Sequence, residues 1–158
     1  MTLRLGTTVA SAAAVIAALA MTPTTAAAAT CGPEEQLAAA DAYIAALGDR
    51  YQAHAVPFAA DAVRYENGLQ TGFSGKQMRD DLYLHLQYSV MEPPVVTDRQ
   101  TGVDGNPDLL RYEFIVPVVI AGAHLVDAPT VETFVIPRST CLIKRIDATI
   151  SVAAPAPR

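Results

Sequence analysis

The rhythm of apolar and polar positions changes along this chain, and each change marks an expected element. From Val9 to Met21 the residues are apolar or small and carry no charge, behind Arg4 and ahead of Ala26-Ala27-Ala28-Ala29. Charge, apolar run and small residues in that order predict a cleavable signal peptide over 1–29, whose core of about 13 residues is too short for a membrane span. After Pro33-Glu34-Glu35, Leu37, Ala40, Tyr43, Ile44 and Leu47 recur at three- and four-residue spacing. That spacing predicts an amphipathic helix, with Gly48 as its stop. Tyr51 to Ala60 has no single period, and Pro57 marks either a helical turn or a loop. Val63 to Glu66 and Leu69 to Phe73 flank Asn67-Gly68. That dipeptide tolerates the two positive φ angles of a tight hairpin. Ser74-Gly75 then opens a second helix, Lys76 to roughly Tyr88, burying Met78, Leu82 and His85 or Leu86.

The remainder reads as strands. Val90 to Val103 is interrupted by Pro93-Pro94, and Asp104-Gly105-Asn106-Pro107-Asp108 is a turn cluster. Leu109 to Ala121, Leu125 to Ile136 and Cys141 to Val152 are long and partly alternating. Pro117 inside the first of these requires a bulge or an edge, because proline cannot donate to a ladder. Helices early and strands late predict an α+β fold, a curved antiparallel sheet packed on the N-terminal helices. Strong curvature leaves a cone-shaped cavity between the two layers. Ala-Pro residues over 153–158 form a tail expected to be disordered.

Composition narrows the class. Without 1–29, about 129 residues remain, one domain expected over 30–152. Arg4 is the only charge in 1–29, so 16 acidic residues then face 10 of the 11 basic ones. No basic run occurs, which argues against a nucleic-acid partner. Cleavage leaves no integral membrane segment, and the address expected is secreted or extracytoplasmic. Cys31 and Cys141 are the only cysteines. Export favours a disulfide between them. Lipidation of Cys31 and two free thiols are the alternatives, although Ala28 and Thr30 make a poor lipid-attachment motif.

Three segments carry a resemblance. Ala42-Tyr43-Ile44-Ala45-Ala46-Leu47, Phe58-Ala59-Ala60-Asp61-Ala62-Val63 and Phe73-Ser74-Gly75-Lys76-Gln77-Met78 follow one another in the order and spacing of the nuclear transport factor 2-like superfamily. This superfamily includes SnoaL-like cyclases and ketosteroid isomerases, and the chain is similar to it from about 34 to 152, as an uncharacterised secreted branch. The resemblance implies a cystatin-like, conical fold. Carried over by position from the ketosteroid isomerases, the helix-1 tyrosine that donates to an oxyanion falls on Tyr43. The general base falls on Glu66, and the second donor, a neutral carboxylic acid, falls on Glu132 ahead of Thr133-Phe134. Both carboxyls are glutamates here, one methylene longer than the family's aspartates.

Other residues are weighed against that trio. Tyr65, Tyr112 and Phe114, with Tyr51, Tyr83 and Tyr88, are candidates to line a pocket for a flat apolar ligand. His85 on the second helix is a further candidate. His54, His85 and His124 lack the paired spacing of a zinc site, so neither metal nor cofactor is expected. Asp98-Arg99 with Asp147 resembles the Asp-Arg-Asp set of epoxide hydrolases in this superfamily, at a spacing that does not fit. The expected function is binding of a small apolar molecule in the conical pocket, with isomerase- or cyclase-like proton transfer. The alternative is a non-catalytic extracellular module that dimerises or meets a partner through its outer sheet face.

Overall fold

Pro33 and two acidic residues begin the first helix, where free amide groups face an acidic side chain. The computed structural model describes residues 31–155, so the signal expected over 1–29 and the last residues of the tail lie outside it. Helix α1 spans Pro33–Gly48, and Glu35 Oε2 accepts from the Gly32 amide at 2.9 Å. Its buried face carries Ala40, Tyr43, Ile44 and Leu47, as the spacing predicts, together with Gln36. Gly48 does end the helix, for a packing reason: a Cβ there would lie 2.5 Å from Pro93 Cα. A 3-10 turn at Arg50–Ala55 follows, its first amides capped by Asp49.

Strand β1 runs Phe58–Glu66, beginning well before the expected Val63. It turns through Asn67 (φ 49°) and Gly68 (φ 84°) into β2, Leu69–Gly72, as the hairpin signal requires. Ser74 Oγ accepts from Gln77 N to cap α2, Gly75–Leu84. Helix α2 is shorter than expected. His85 adopts φ 57° and closes it, its backbone N–H donating a hydrogen bond to Asp81 O. A 3-10 turn, Gln87–Val90, takes over, and Leu86 is left exposed rather than buried. Strands β3 (Val95–Thr101), β4 (Leu109–Ile120), β5 (Ala123–Val135) and β6 (Ile143–Ile150) complete the fold. No helix among the described residues is long and apolar enough to cross a membrane.

The six strands form one curved sheet in the order β2-β1-β6-β5-β4-β3. Four of the neighbouring pairs are antiparallel, and β1 runs parallel to β6, a long-range pair joined by most of the chain. Register shifts interrupt every ladder except β5–β6, and such bulges bend a sheet. Pro117 falls where β3 has broken off: the β3–β4 pairing ends at Val95–Ile115, and the β4–β5 register shifts at Val118–Val119. The tail begins with a paired residue, because Ala153 exchanges both backbone hydrogen bonds with Asp127.

The inner sheet face follows the two-residue period of β4, where Leu110, Tyr112, Phe114 and Val116 are buried. Helix α1 lies on it, with the Tyr43 ring edge-on to Phe134 at 5.6 Å and to Phe58 at 6.0 Å. A disulfide joins Cys31 to Cys141, 110 residues apart, and ties the start of α1 to the approach of β6.

Candidate functional site

Alternation along β1 puts Ala62, Arg64 and Glu66 on the inner face and Tyr65 on the outer one. Arg64 is only 3% exposed. A guanidinium so placed is tolerated only when its donors are occupied. Nη1 donates to Tyr88 Oη at 2.7 Å and to Tyr43 Oη at 3.3 Å. Nε donates to Thr71 Oγ1 at 3.1 Å and lies 3.4 Å from Glu66 Oε1. Arg64 therefore pins together β1, β2, α1 and the 3-10 turn after α2.

Tyr43 passes the network on, its hydroxyl lying 3.5 Å from Glu132 Oε1, at the long end of a hydrogen bond. Glu132 is 3% exposed, and its Oε2 has no hydrogen-bond partner. Burial, reinforced by the charge of Glu66 and opposed by Arg64 and Tyr43, pushes the Glu132 carboxyl up to about 8. Burial, then Glu132, holds the Tyr43 phenol well above its ordinary value. Burial also raises Tyr88, against the opposing charge of Arg64. Near neutrality the cluster thus holds two protonated phenols, a mostly protonated acid and the Arg64–Glu66 ion pair.

Tyr43, Tyr88, Glu66 and Glu132 border a cavity of about 60 Å³, with Arg64 behind them and outside its lining. Tyr43 and Leu47 come from α1, Glu66 from β1, and Tyr88 and Met91 from the segment after α2. Phe114 and Val116 of β4, Ala128, Thr130 and Glu132 of β5 and Ile150 of β6 close it. At the roughly 30 Å³ that a water occupies in the liquid, the enclosed space is that of about two waters. Glu66, with 32% of its side chain exposed, marks the solvent side.

The structure brings Tyr43, Glu66 and Glu132 to one cavity, with Phe114 in its wall. Tyr88 also lines it, whereas five other candidates, Tyr65, Tyr112, His85, Tyr51 and Tyr83, do not. Tyr65 faces outward beneath the Arg145 guanidinium, 4.4 Å from its ring centre, because its strand position has the opposite parity to Arg64 and Glu66. Tyr112 faces inward, but its hydroxyl donates to Asp41 Oδ1 at 3.0 Å, so the ring fills the α1–β4 interface. His85 sits at the left-handed end of α2, its ring 6.0 Å from that of Tyr88. Tyr51 is exposed and Tyr83 partly so. Sequence reasoning missed Arg64, although its place two residues before Glu66 in a strand put the two on one face. Among the described residues no cluster of His, Cys, Asp and Glu is arranged to hold a metal ion.

Residues 32–150 match the family described as a domain of unknown function, DUF8021. The chain belongs to the DUF8021 family. No curated protein matches it. Solved structures similar to this DUF8021 domain include an M. tuberculosis LEH-like epoxide hydrolase, at 14% identity, TM-score 0.60, covering 75% of this chain and 84% of that one. A putative isomerase of the SnoaL-like family from Agrobacterium tumefaciens aligns at 13% identity and TM-score 0.51, over 75% and 98% of the two chains. A nuclear transport factor 2-like protein of unknown function from Cytophaga hutchinsonii aligns at 11% identity and TM-score 0.57, over 75% and 97%. At these identities the likeness is one of fold, and the DUF8021 domain has the fold seen in nuclear transport factor 2-like proteins.

Proposed function

We propose that this DUF8021 domain binds a small, largely apolar molecule by an oxygen atom in the cavity beneath its sheet, and performs acid–base chemistry on it outside the cytoplasm. The observation that carries the reading is Glu132, a buried acid with an unpartnered oxygen, in one cavity with Tyr43 and Glu66. A buried polar atom left unpaired in a native fold calls for an explanation, and a ligand supplies one. Export is supported by the pattern of residues 1–29 and by the disulfide.

The chemistry follows from the contrast between the two carboxyls. On an unsaturated ketone, Glu66 takes a proton from the carbon beside the carbonyl. The negative charge moves to the ketone oxygen, where Glu132 donates a hydrogen bond from its free oxygen while Tyr43 donates to the other carboxyl oxygen behind it. Glu66 returns the proton to the far carbon, and the double bond has moved into conjugation. A second substrate is favoured by Arg64, which lies between Glu66 and the Tyr43–Glu132 pair. This is a carboxyl–guanidinium–carboxyl arrangement, and one structure of similar fold is an epoxide hydrolase. On an epoxide, Glu132 gives its proton to the ring oxygen as the C–O bond breaks. Water forms the new C–O bond, Glu66 takes the water's proton, and a diol leaves. The alternative of a non-catalytic interaction module rests on a groove of about 290 Å³ on the outer sheet face, lined by Thr97, Ile115, Val131 and Thr149 among others.

Two probes test the reading: 3-cyclohexen-1-one, followed by the absorbance of its conjugated isomer, and cyclopentene oxide, followed by diol formation. One of them is expected to turn over near pH 6.5, with Glu66→Gln lowering the rate a hundredfold or more. No turnover of either above background would end the catalytic reading.

A further inference from the structure

Strand register gathers the uncharged parts of the chain at one end of the sheet. Strands β1 and β6 run parallel and finish together, Glu66 level with Ala148. Ile150 lies opposite Thr130, so β5 begins and β4 finishes beyond that end, paired from Val118–Val126 to Ile120–Ala123. Strand β2 leaves from the same end, with Leu69 opposite Glu66. Met91 pairs with Val118 and brings the segment after α2 there too. The cavity opens at this end, since Glu66 marks its solvent side and Ile150, Ala128, Val116 and Met91 stand in its wall. The surrounding segments, 67–75, 82–91, 114–126 and 148–155, contain no Asp, Glu, Lys or Arg, in a chain with 16 acidic and 11 basic residues. Charge returns at their borders, with Glu66 beside Arg64, Glu92, and Asp127 against His124. The opposite end of the sheet carries Asp108, Arg138 and the Asp61–Lys144 pair. Exposed aliphatic side chains crown the opening. Leu69 is 71%, Leu86 74% and Val152 74% exposed, and Ile120 and Leu125 stand out at the β4–β5 tip.

We infer that this end of the domain docks on a lipid surface with neutral or zwitterionic headgroups, Leu69, Leu86, Ile120, Leu125 and Val152 entering it around the cavity mouth. The docking goes beyond the acid–base reading and does not depend on it. Exposed apolar side chains gathered at one place mark a contact surface. Charge narrows the occupant. The net charge of −5 repels an anionic bilayer, and a basic protein finds no carboxylate on the crown to pair with. Shape narrows it further. These side chains project from separate turns and strand ends around an opening, so a flat protein or an identical crown meets only their tips, whereas lipid fills the space between them. The residue types agree, because protein–protein hot spots favour Trp, Tyr and Arg over Leu and Val. The β4–β5 tip adds a reason of its own. Strand β3 stops pairing at Val95–Ile115, so the tip is a two-stranded ribbon, a form with little stability of its own in water. Shallow entry leaves the turn amides of Ala121-Gly122 among hydrated headgroups.

The test is flotation of the full exported protein with phosphatidylcholine vesicles. The protein is expected to float with them at low and high salt alike, and about threefold less at low salt when roughly one lipid in three is phosphatidylglycerol. The chain has no tryptophan, so a single one introduced reports its own site. Emission from Leu86→Trp and Val152→Trp is expected to move to the blue on adding vesicles and to be quenched by brominated lipid chains. Leu142→Trp, exposed at the far end of the sheet, is expected to show neither change. Leu69→Ser, Leu86→Ser and Val152→Ser should each weaken flotation about fivefold, and together about a hundredfold. Their melting temperatures should match the wild type, because the replaced side chains already face water. No flotation with phosphatidylcholine, stronger flotation with the anionic vesicles, or serine variants that float like the wild type would each overturn the inference. So would a dimer in sedimentation that the serine substitutions dissociate, which would assign the crown to a second copy.

Discussion

At the scale of single residues, Arg64 and Glu132 carry most of the consequence. Arg64 was not legible as a site residue, because an isolated arginine in a short strand reads as a surface charge. Only the β1–β6 pairing and the helices above it bury that position. Its loss leaves Glu66, Tyr43, Tyr88 and Thr71 without a shared donor. Arg64→Ala is therefore expected to destabilise the domain by about 3–5 kcal/mol in chemical denaturation. Arg64→Lys should recover less than half, because one ammonium cannot span the same fork of acceptors. Glu132 gives the opposite kind of signature. Its folded value, about 8, lies above the ordinary 4.5. The folded state thus keeps a proton that the unfolded chain has released, and its stability is fully present below about pH 4.5. It is lost as pH rises through 8. The loss is at most roughly 5 kcal/mol. Denaturation midpoints of the wild type should fall across that window, and Glu132→Gln should flatten the slope. A wild type with no slope there would show that Glu132 is not held protonated by the fold.

At the scale of elements, legibility followed how local each element's cause is. Helix α1 and the Asn67-Gly68 hairpin are written in short-range spacing and turn chemistry, and both formed where expected. The first half of β1 was not legible. Phe58-Ala59-Ala60-Asp61-Ala62 has little strand preference of its own, and its extended shape comes from pairing with distant β6, beginning at Phe58–Ile143. The end of α2 was misread because Leu82, His85 and Leu86 keep helical spacing after the backbone has left the helix at His85. That departure brings Tyr88 back over the cavity. Gly75 shows the same dependence on distant partners: a Cβ there would sit 2.1 Å from Ala59 O, so α2 starts in direct contact with β1. Gly75→Ala is expected to lower stability by about 1–3 kcal/mol, although alanine is the better helix former. Thermal denaturation checks the sign, and a stabilised variant would mean that α2 is free to shift away from β1.

At the scale of the whole molecule, the general plan of helices over a bent sheet was legible. The size of the hollow was not, since about 60 Å³ is what remains after the inward side chains of four strands have packed against α1. The site spans both layers, with Tyr43 and Leu47 in α1 and Glu132 in β5. Its geometry therefore depends on how firmly α1 is held to the sheet. Two fastenings act at the front of that helix. Gln36 Nε2 donates to Ile136 O at 2.6 Å, and Cys31 is bonded to Cys141 across 110 residues. A loop of that length gives the cross-link an entropic contribution of about 4–5 kcal/mol. The double variant Cys31→Ser/Cys141→Ser is thus expected to melt on the order of 10–20 °C lower than the oxidised protein. Below its own melting temperature the variant should still show the raised Glu132 titration, because burial sets it and Tyr43, the α1 residue beside Glu132, lies about three turns along the chain from Cys31. Reductant should move the wild type to the variant's melting temperature and leave the variant unmoved. If the variant melts where the oxidised wild type does, the contacts of Gln36 and the α1 face hold the two layers together without the cross-link.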